Sequence, residues 1–136
     1  MNIVIDTNVL IAAFIARGSC TELYEHCLAN YTILSSEWIM NEFSEVLLIK
    51  FKIDPKHVKQ AKDHLTEYSL KMKYRLPDNQ VCRDVDDDHI LALADQGSAK
   101  CIITGDKDLL VLGSYKHIQI IKPGDFWKFE ENQILR

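Results

Sequence analysis

The chain has 136 residues, 47% of them hydrophobic and 26% charged, with five Gly and three Pro; this is the size and makeup of one globular domain and excludes a disordered or low-complexity chain. Its longest apolar run, Val9–Ala16, is too short for a bilayer span and follows Asp6 and Asn8 instead of a basic stretch, so we expect a soluble, cytoplasmic protein with no membrane partner. The net charge of −4 excludes a protein that grips nucleic acid by overall basicity alone.

In chain order, Asn2-Ile-Val-Ile-Asp6 reads as a buried parallel strand ending in an acid. Thr7–Phe14 follows as a helix with Val9, Leu10, Ala13 and Phe14 on one face, and Gly18 and Ser19 interrupt it. A second helix covers Thr21–Ala29, and Tyr31–Leu34 is the next strand. Ser35 and Ser36 suit an N-cap and Glu37 a first turn, opening a helix whose apolar stripe is Trp38, Ile39, Phe43, Val46 and Leu47. Asp54-Pro55 starts another helix. This basic element runs toward Tyr74, in one piece or two, and ends before Pro77. Eight of the sixteen Lys and Arg residues fall in segment 50–75 against three acids, so it carries +5 and the rest of the chain −9. After a polar loop, Asp86 or Asp87 opens a helix through Ala94 that Gly97 stops; Cys101–Ile103 and Ile118–Ile121 are strands, and Pro123 starts a closing helix. Strands alternating with helices give an α/β domain over 1–136 with a four- or five-stranded parallel sheet covered on both faces. Cys20, Cys27, Cys82 and Cys101 form no C-x-x-C pair and read as reduced, mostly buried thiols; the spacing of Cys20, His26 and Cys27 fits no zinc pattern.

In such sheets a ligand sits beyond the carboxyl ends of the strands, so the residues just past each strand are the candidates. Asp6 ends the first strand, Asp106 follows the Cys101–Ile103 strand, and Asp87 and Asp88 begin the helix before it. Glu42 borders the apolar stripe of its helix. Helical phase points Asp87 with Leu91 and Ala94 and turns Asp88 about 100° aside, so Asp87 is preferred, with Asp88 as the alternative. Singly, these acids read as caps or turn residues, as do Asp84, Asp86 and Asp108. Gathered at one edge, they repel by about 1–4 kcal/mol per close pair, and they either raise their pKa values or hold a divalent cation. Oxygen-only ligands favour Mg²⁺ or Mn²⁺ over zinc, and a carboxylate-held ion suits phosphodiester hydrolysis.

These residues resemble the PIN domain, the nuclease fold of bacterial VapC-type toxins. Ile3-Val-Ile-Asp6-Thr7-Asn8 is similar to its opening, Glu42 to its helical acid, Asp87 with Ala92 and Ala94 to its third acid, and Thr104-Gly-Asp106 to the segment bearing the fourth. The Arg83–Asp88 and Thr104–Leu110 segments resemble the subgroup of toxin components in toxin–antitoxin pairs. The resemblance implies a three-layer α/β/α sandwich, an Mg²⁺- or Mn²⁺-dependent endoribonuclease, a homodimer and a cognate antitoxin. It implies that Asp6 and Asp87 are the main metal ligands, that Asp106 completes the site directly or through water, and that Glu42 holds a second ion or orients the attacking water. Thr7, Asn8 and Thr104 would hydrogen-bond the carboxylates or bound water. On physical grounds, Lys56, Lys59, Lys62, Lys71, Lys73 and Arg75 are candidates for RNA backbone contacts; Tyr68 and Tyr74 interleave with them and read as packing residues able to stack on an unpaired base.

Two other readings compete. A haloacid-dehalogenase-type phosphatase needs a second Asp two residues after the first, where this chain has Asn8, and a receiver domain needs acids before its phosphorylated Asp, for which Asp6 stands too early. The remaining alternative is a PIN-fold module that binds RNA or protein without cutting.

Overall fold

The computed structural model describes residues 1–135; Arg136, the last residue of the expected domain, lies outside them. β1 (Asn2–Ile5), β2 (Thr32–Ser35), β4 (Ala99–Ile103) and β6 (Ile118–Ile121) are the four expected strands, and they pair in parallel. β3 (Leu70–Lys71) adds to β2 in parallel and β5 (Ser114–Tyr115) pairs antiparallel with β6. The sheet therefore has six strands, in the order β3-β2-β1-β4-β6-β5, where four or five were expected. A two-residue strand leaves no alternation to read, so both edges were invisible in the sequence.

The helices flanking this sheet are α1 (Thr7–Ile15), α2 (Ser19–Asn30), α3 (Glu37–Glu45), α4 (Pro55–Tyr68), α5 (Asp87–Gln96), α6 (Lys107–Leu110) and α7 (Phe126–Ile134), the last entered by a 3₁₀ turn at Pro123–Asp125. Their starts follow local chemistry. Asp6 accepts a hydrogen bond from Thr7 N–H, Ser36 from Ile39 N–H, and Asp54 from Lys56 N–H with Pro55 in the first turn. Ile3, Val4 and Ile5 of β1 and Cys101, Ile102 and Ile103 of β4 are all buried, as expected for central strands covered on both sides.

Two elements depart from expectation. α4 ends at Tyr68 instead of running toward Tyr74. Leu70 and Lys71 pair with Leu34 and Ser35, and Met72 N–H donates to Ser35 O at 2.8 Å. Strand addition at the open edge of β2 wins over helix continuation, and Lys71, Lys73 and Arg75 leave the helix. α3 also opens into a π-helical turn at Val46–Lys50, which an apolar stripe does not announce. The four cysteines are free, and all but Cys20 are buried. Among the described residues no helix is long and apolar enough to cross a membrane.

Candidate active site

β1 and β4 lie side by side, so the residues after their carboxyl ends meet. Asp6 N–H donates to Ile103 O at 2.9 Å, and Thr104 Oγ1 donates to Asp6 Oδ2 at 2.7 Å. The other oxygen of Asp6 accepts from Thr7 N–H at 2.7 Å. Thr104 Oγ1 also accepts from Asp106 N–H at 2.9 Å, and Asp106 Oδ1 accepts from Asp108 N–H at 2.8 Å, which starts α6. One hydroxyl thus ties the first acid to the turn that carries the fourth.

A recess of about 200 Å³ opens here, and Asp6, Asn8, Glu42, Asp87 and Asp106 line it together. Of the expected acids these are the ones the fold brings together. Asp84, Asp86 and Trp38 line it too; the first two had been read as caps and Trp38 as part of a core stripe. Asp86 makes no cap hydrogen bond, whereas Asp84 Oδ1 accepts from Asp86 N–H at 3.0 Å. Asp88 behaves differently. Although buried, it accepts from Val81 N–H and Cys82 N–H at 3.0 and 2.8 Å, so both its oxygens hold the loop before α5 and it lines no part of the recess.

One oxygen each of Asp87, Asp106 and Asp108 lies within 4.8 Å of the others. Oxygens sharing a hard cation stand at most about 4–5 Å apart. Asp108 had been read as a turn residue; a D-x-D spacing across a helix start was the signal available for it. Asp87 Oδ2 is buried and has no hydrogen-bond partner, and so is Thr7 Oγ1. An unsatisfied buried carboxylate oxygen is costly. Among the described residues no salt bridge involves these acids, Lys107 included. Burial, then the charges of Asp106, Asp6 and Asp84, push Asp87 up to about 7. Burial also raises Asp6, with hydrogen bonds from Thr104 and Thr7 pulling against it and the charge of Asp106 adding to it. Burial raises Glu42, with the Thr7 hydroxyl pulling against it and the charges of Asp6, Asp86 and Asp84 adding to the rise. An all-oxygen donor set with an orphaned oxygen and acids held above their ordinary pKa fits a divalent cation of the Mg²⁺ or Mn²⁺ kind.

Of the six candidate RNA-contacting cations, Lys56 is exposed at the start of α4, Lys59 pairs with Asp63 at 2.9 Å, and Lys62 is half-buried. Lys71, at the end of β3, and Lys73 and Arg75 on the stretch after it are exposed. Tyr74 is half-buried with its hydroxyl 2.6 Å from His89 Nδ1, and Tyr68 is exposed.

The sequence matches the family model of the PIN domain over residues 2–108. No curated protein sequence matches the chain. Among solved structures, the fold is similar to VapBC2 from Rickettsia felis bound to a DNA fragment from their promoter, at 13% identity and a TM-score of 0.65, covering 88% of this chain and 97% of that one. It is similar to VapC20 of Mycobacterium tuberculosis, a sarcin-ricin loop cleaving toxin, at 11% identity and a TM-score of 0.60, covering 86% and 98%. FitAcB from Neisseria gonorrhoeae aligns at 15% identity with a TM-score of 0.56, covering 90% and 98%. At these identities the likeness is one of fold.

Proposed function

From the premise that this chain belongs to the PIN-domain family, we propose that it is an Mg²⁺- or Mn²⁺-dependent endoribonuclease, acts as the toxin of a toxin–antitoxin pair, and associates with an antitoxin protein and with a second copy of itself. The observation that carries the nuclease reading is the buried Asp87 oxygen without a partner, set in a recess of acids that no Lys or Arg neutralises among the described residues. Two of the solved structures with this fold are, by their names, a VapBC assembly and a sarcin-ricin loop cleaving toxin, which supports the toxin reading.

Asp6, Asp87 and Asp106 would hold the cation, with Asp108 beside them. When bound, the ion supplies positive charge against the phosphodiester and its departing oxygen. The chain's own residues do the rest. The Thr104 hydroxyl, donating to Asp6 Oδ2, fixes the orientation of that carboxylate. Glu42, half-buried and held above its ordinary pKa, is suited to take the proton of the attacking water at its carboxylate. Asn8, exposed at the rim in the first turn of α1, can donate through its amide to a phosphate oxygen. Asp88 keeps the loop carrying Asp84 and Asp86 in place.

The test is cleavage of single-stranded and structured RNAs with Mn²⁺ or with EDTA, comparing wild type with Asp6→Asn and Asp87→Asn. Internal cleavage should require the metal and fall by about 10² or more in each variant, the scale seen for removing one group that stabilises charge in a transition state. Cleavage indifferent to chelator would refute the reading, and RNA binding without any cleavage would point to the non-catalytic module.

A further inference from the structure

From the carboxyl end of β2, residues 70–75 run as an extended strap alongside α5 toward its last residue, Gln96, fastened along their length. Leu70 and Lys71 pair with Leu34 and Ser35, and Met72 N–H bonds Ser35 O. Tyr74 Oη lies 2.6 Å from His89 Nδ1. Arg75 exchanges two bonds with Gln96, its N–H donating to Oε1 at 2.9 Å and its carbonyl accepting from Nε2 at 2.6 Å. Between these fastenings the side chains alternate. Met72 and Tyr74 pack toward the core, while Lys71, Lys73 and Arg75 are exposed, and among the described residues none of the three is in a salt bridge. On its inner side the strap reaches the acid recess through stacked rings: Tyr74 meets His89, and His89 lies flat on Trp38 with centroids 4.5 Å apart and planes 5° from parallel. Trp38 is a wall of the recess.

We propose that Lys71, Lys73 and Arg75 form a track for successive phosphates of a single RNA strand, running along α5 from the Trp38 side of the acid recess, an inference that takes its ligand from the nuclease reading above. Alternate residues of an extended chain are about 6.6 Å apart, close to the phosphate repeat along a single strand. A duplex carries its phosphates in two winding rows, which a short straight ribbon meets at isolated points. The recess is acidic and repels RNA by itself, so unneutralised cations on a track leading to it supply the attraction that brings a polyanion there. α4 is less suited. Lys59 is tied to Asp63, and α4 packs against α3 and the π-helical turn, with no ring contact to the Trp38 wall among the described residues.

The experiment compares wild type with two charge-removing triples, Lys71→Ser/Lys73→Ser/Arg75→Ser and Lys56→Ser/Lys59→Ser/Lys62→Ser, and with the charge-preserving Lys71→Arg/Lys73→Arg/Arg75→Lys. Binding of a labelled unstructured RNA is read by fluorescence anisotropy across a salt series in EDTA, so that nothing is cut. The strap triple should bind about tenfold more weakly, with a log–log salt slope lower by about two, since each phosphate contact to a single strand contributes about 0.7. The α4 triple should stay within about twofold of wild type, and the charge-preserving triple should bind normally. Wild-type affinity in the strap triple, a larger loss in the α4 triple, equal loss for a duplex RNA, or no binding by wild type would each overturn the track. The same sequence as DNA reports the source, because a strap-dependent loss confined to DNA overturns the assignment to RNA. The two readings fail separately: strap-dependent binding without Mn²⁺-dependent cleavage sinks the nuclease and keeps the track, and cleavage with an unaffected strap triple does the reverse.

Discussion

Asp87 opens α5 with one oxygen buried and unbonded, facing other acids. Its pKa of about 7 means the folded protein binds this proton more tightly than the unfolded chain does. The stabilisation from that proton is complete below the ordinary carboxylate range, near pH 4, and is lost as pH rises through about 7. Asp87→Asn removes the charge and should therefore raise the melting temperature at pH 8 by about 3–5 °C, or about 1 kcal/mol, with no gain near pH 4. Mn²⁺ should raise the wild-type melting temperature and leave the variant unmoved; calorimetry at the two pH values, with and without metal, checks both. No gain at pH 8 would mean the acids do not strain the fold. At this scale the residues readable in advance were those whose direction a strand end or a helix phase dictates: Asp6, Glu42, Asp87 and Asp106. Asp84 and Asp108 were not readable as members of the cluster, because turns in irregular segments aim them. Asp88, the alternative to Asp87, is turned aside as helical phase suggests, but its partners are backbone N–H groups six and seven residues earlier, and helical phase carries no information about such loop contacts.

The elements were readable where they repeat. Amphipathic helices of nine or more residues and central strands of four or five residues carry a period; β3, β5 and the π-helical turn do not. α4 shows how a tertiary contact overrides a local tendency, because the basic run continues past Tyr68 while the chain bends to add to β2. Gly97 marks the close approach that permits this. A Cβ there would meet Leu34 Cδ1 at 2.3 Å, Leu93 O at 2.9 Å and Met72 Sδ at 3.1 Å. Two of these atoms belong to β2 and the strap, so Gly97→Ala should push α5 away from both. A destabilisation of about 1–3 kcal/mol is expected in urea titration, with faster amide exchange at Met72 than in wild type. An unchanged midpoint would show that the strap is not pressed against α5.

Across the whole molecule, parallel topology and the acidic edge were readable from the alternation of strands and helices, while the attachment of the last helix was not. Glu130 of α7 reaches back to α2, accepting from Tyr31 Oη and lying 2.5 Å from His26 Nε2, a contact across a hundred residues that no local pattern encodes. Burial alone would raise its pKa, but the hydrogen bonds from His26 and Tyr31 more than offset this and hold it below the ordinary value. The stability it contributes is thus present above the usual Glu range and lost as pH falls through the lowered pKa. Glu130→Gln should cost about 1–3 kcal/mol at pH 7 and progressively less below pH 4, as read by thermal melts; a constant deficit across that range would exclude the charge as its source. The sheet's two rims are the short strands β3 and β5, each two residues long. Such short rims are one way a sheet blunts edge-to-edge association, and beyond β3 the backbone of Arg75 is already engaged by Gln96, which leaves a further chain less to pair with on that side.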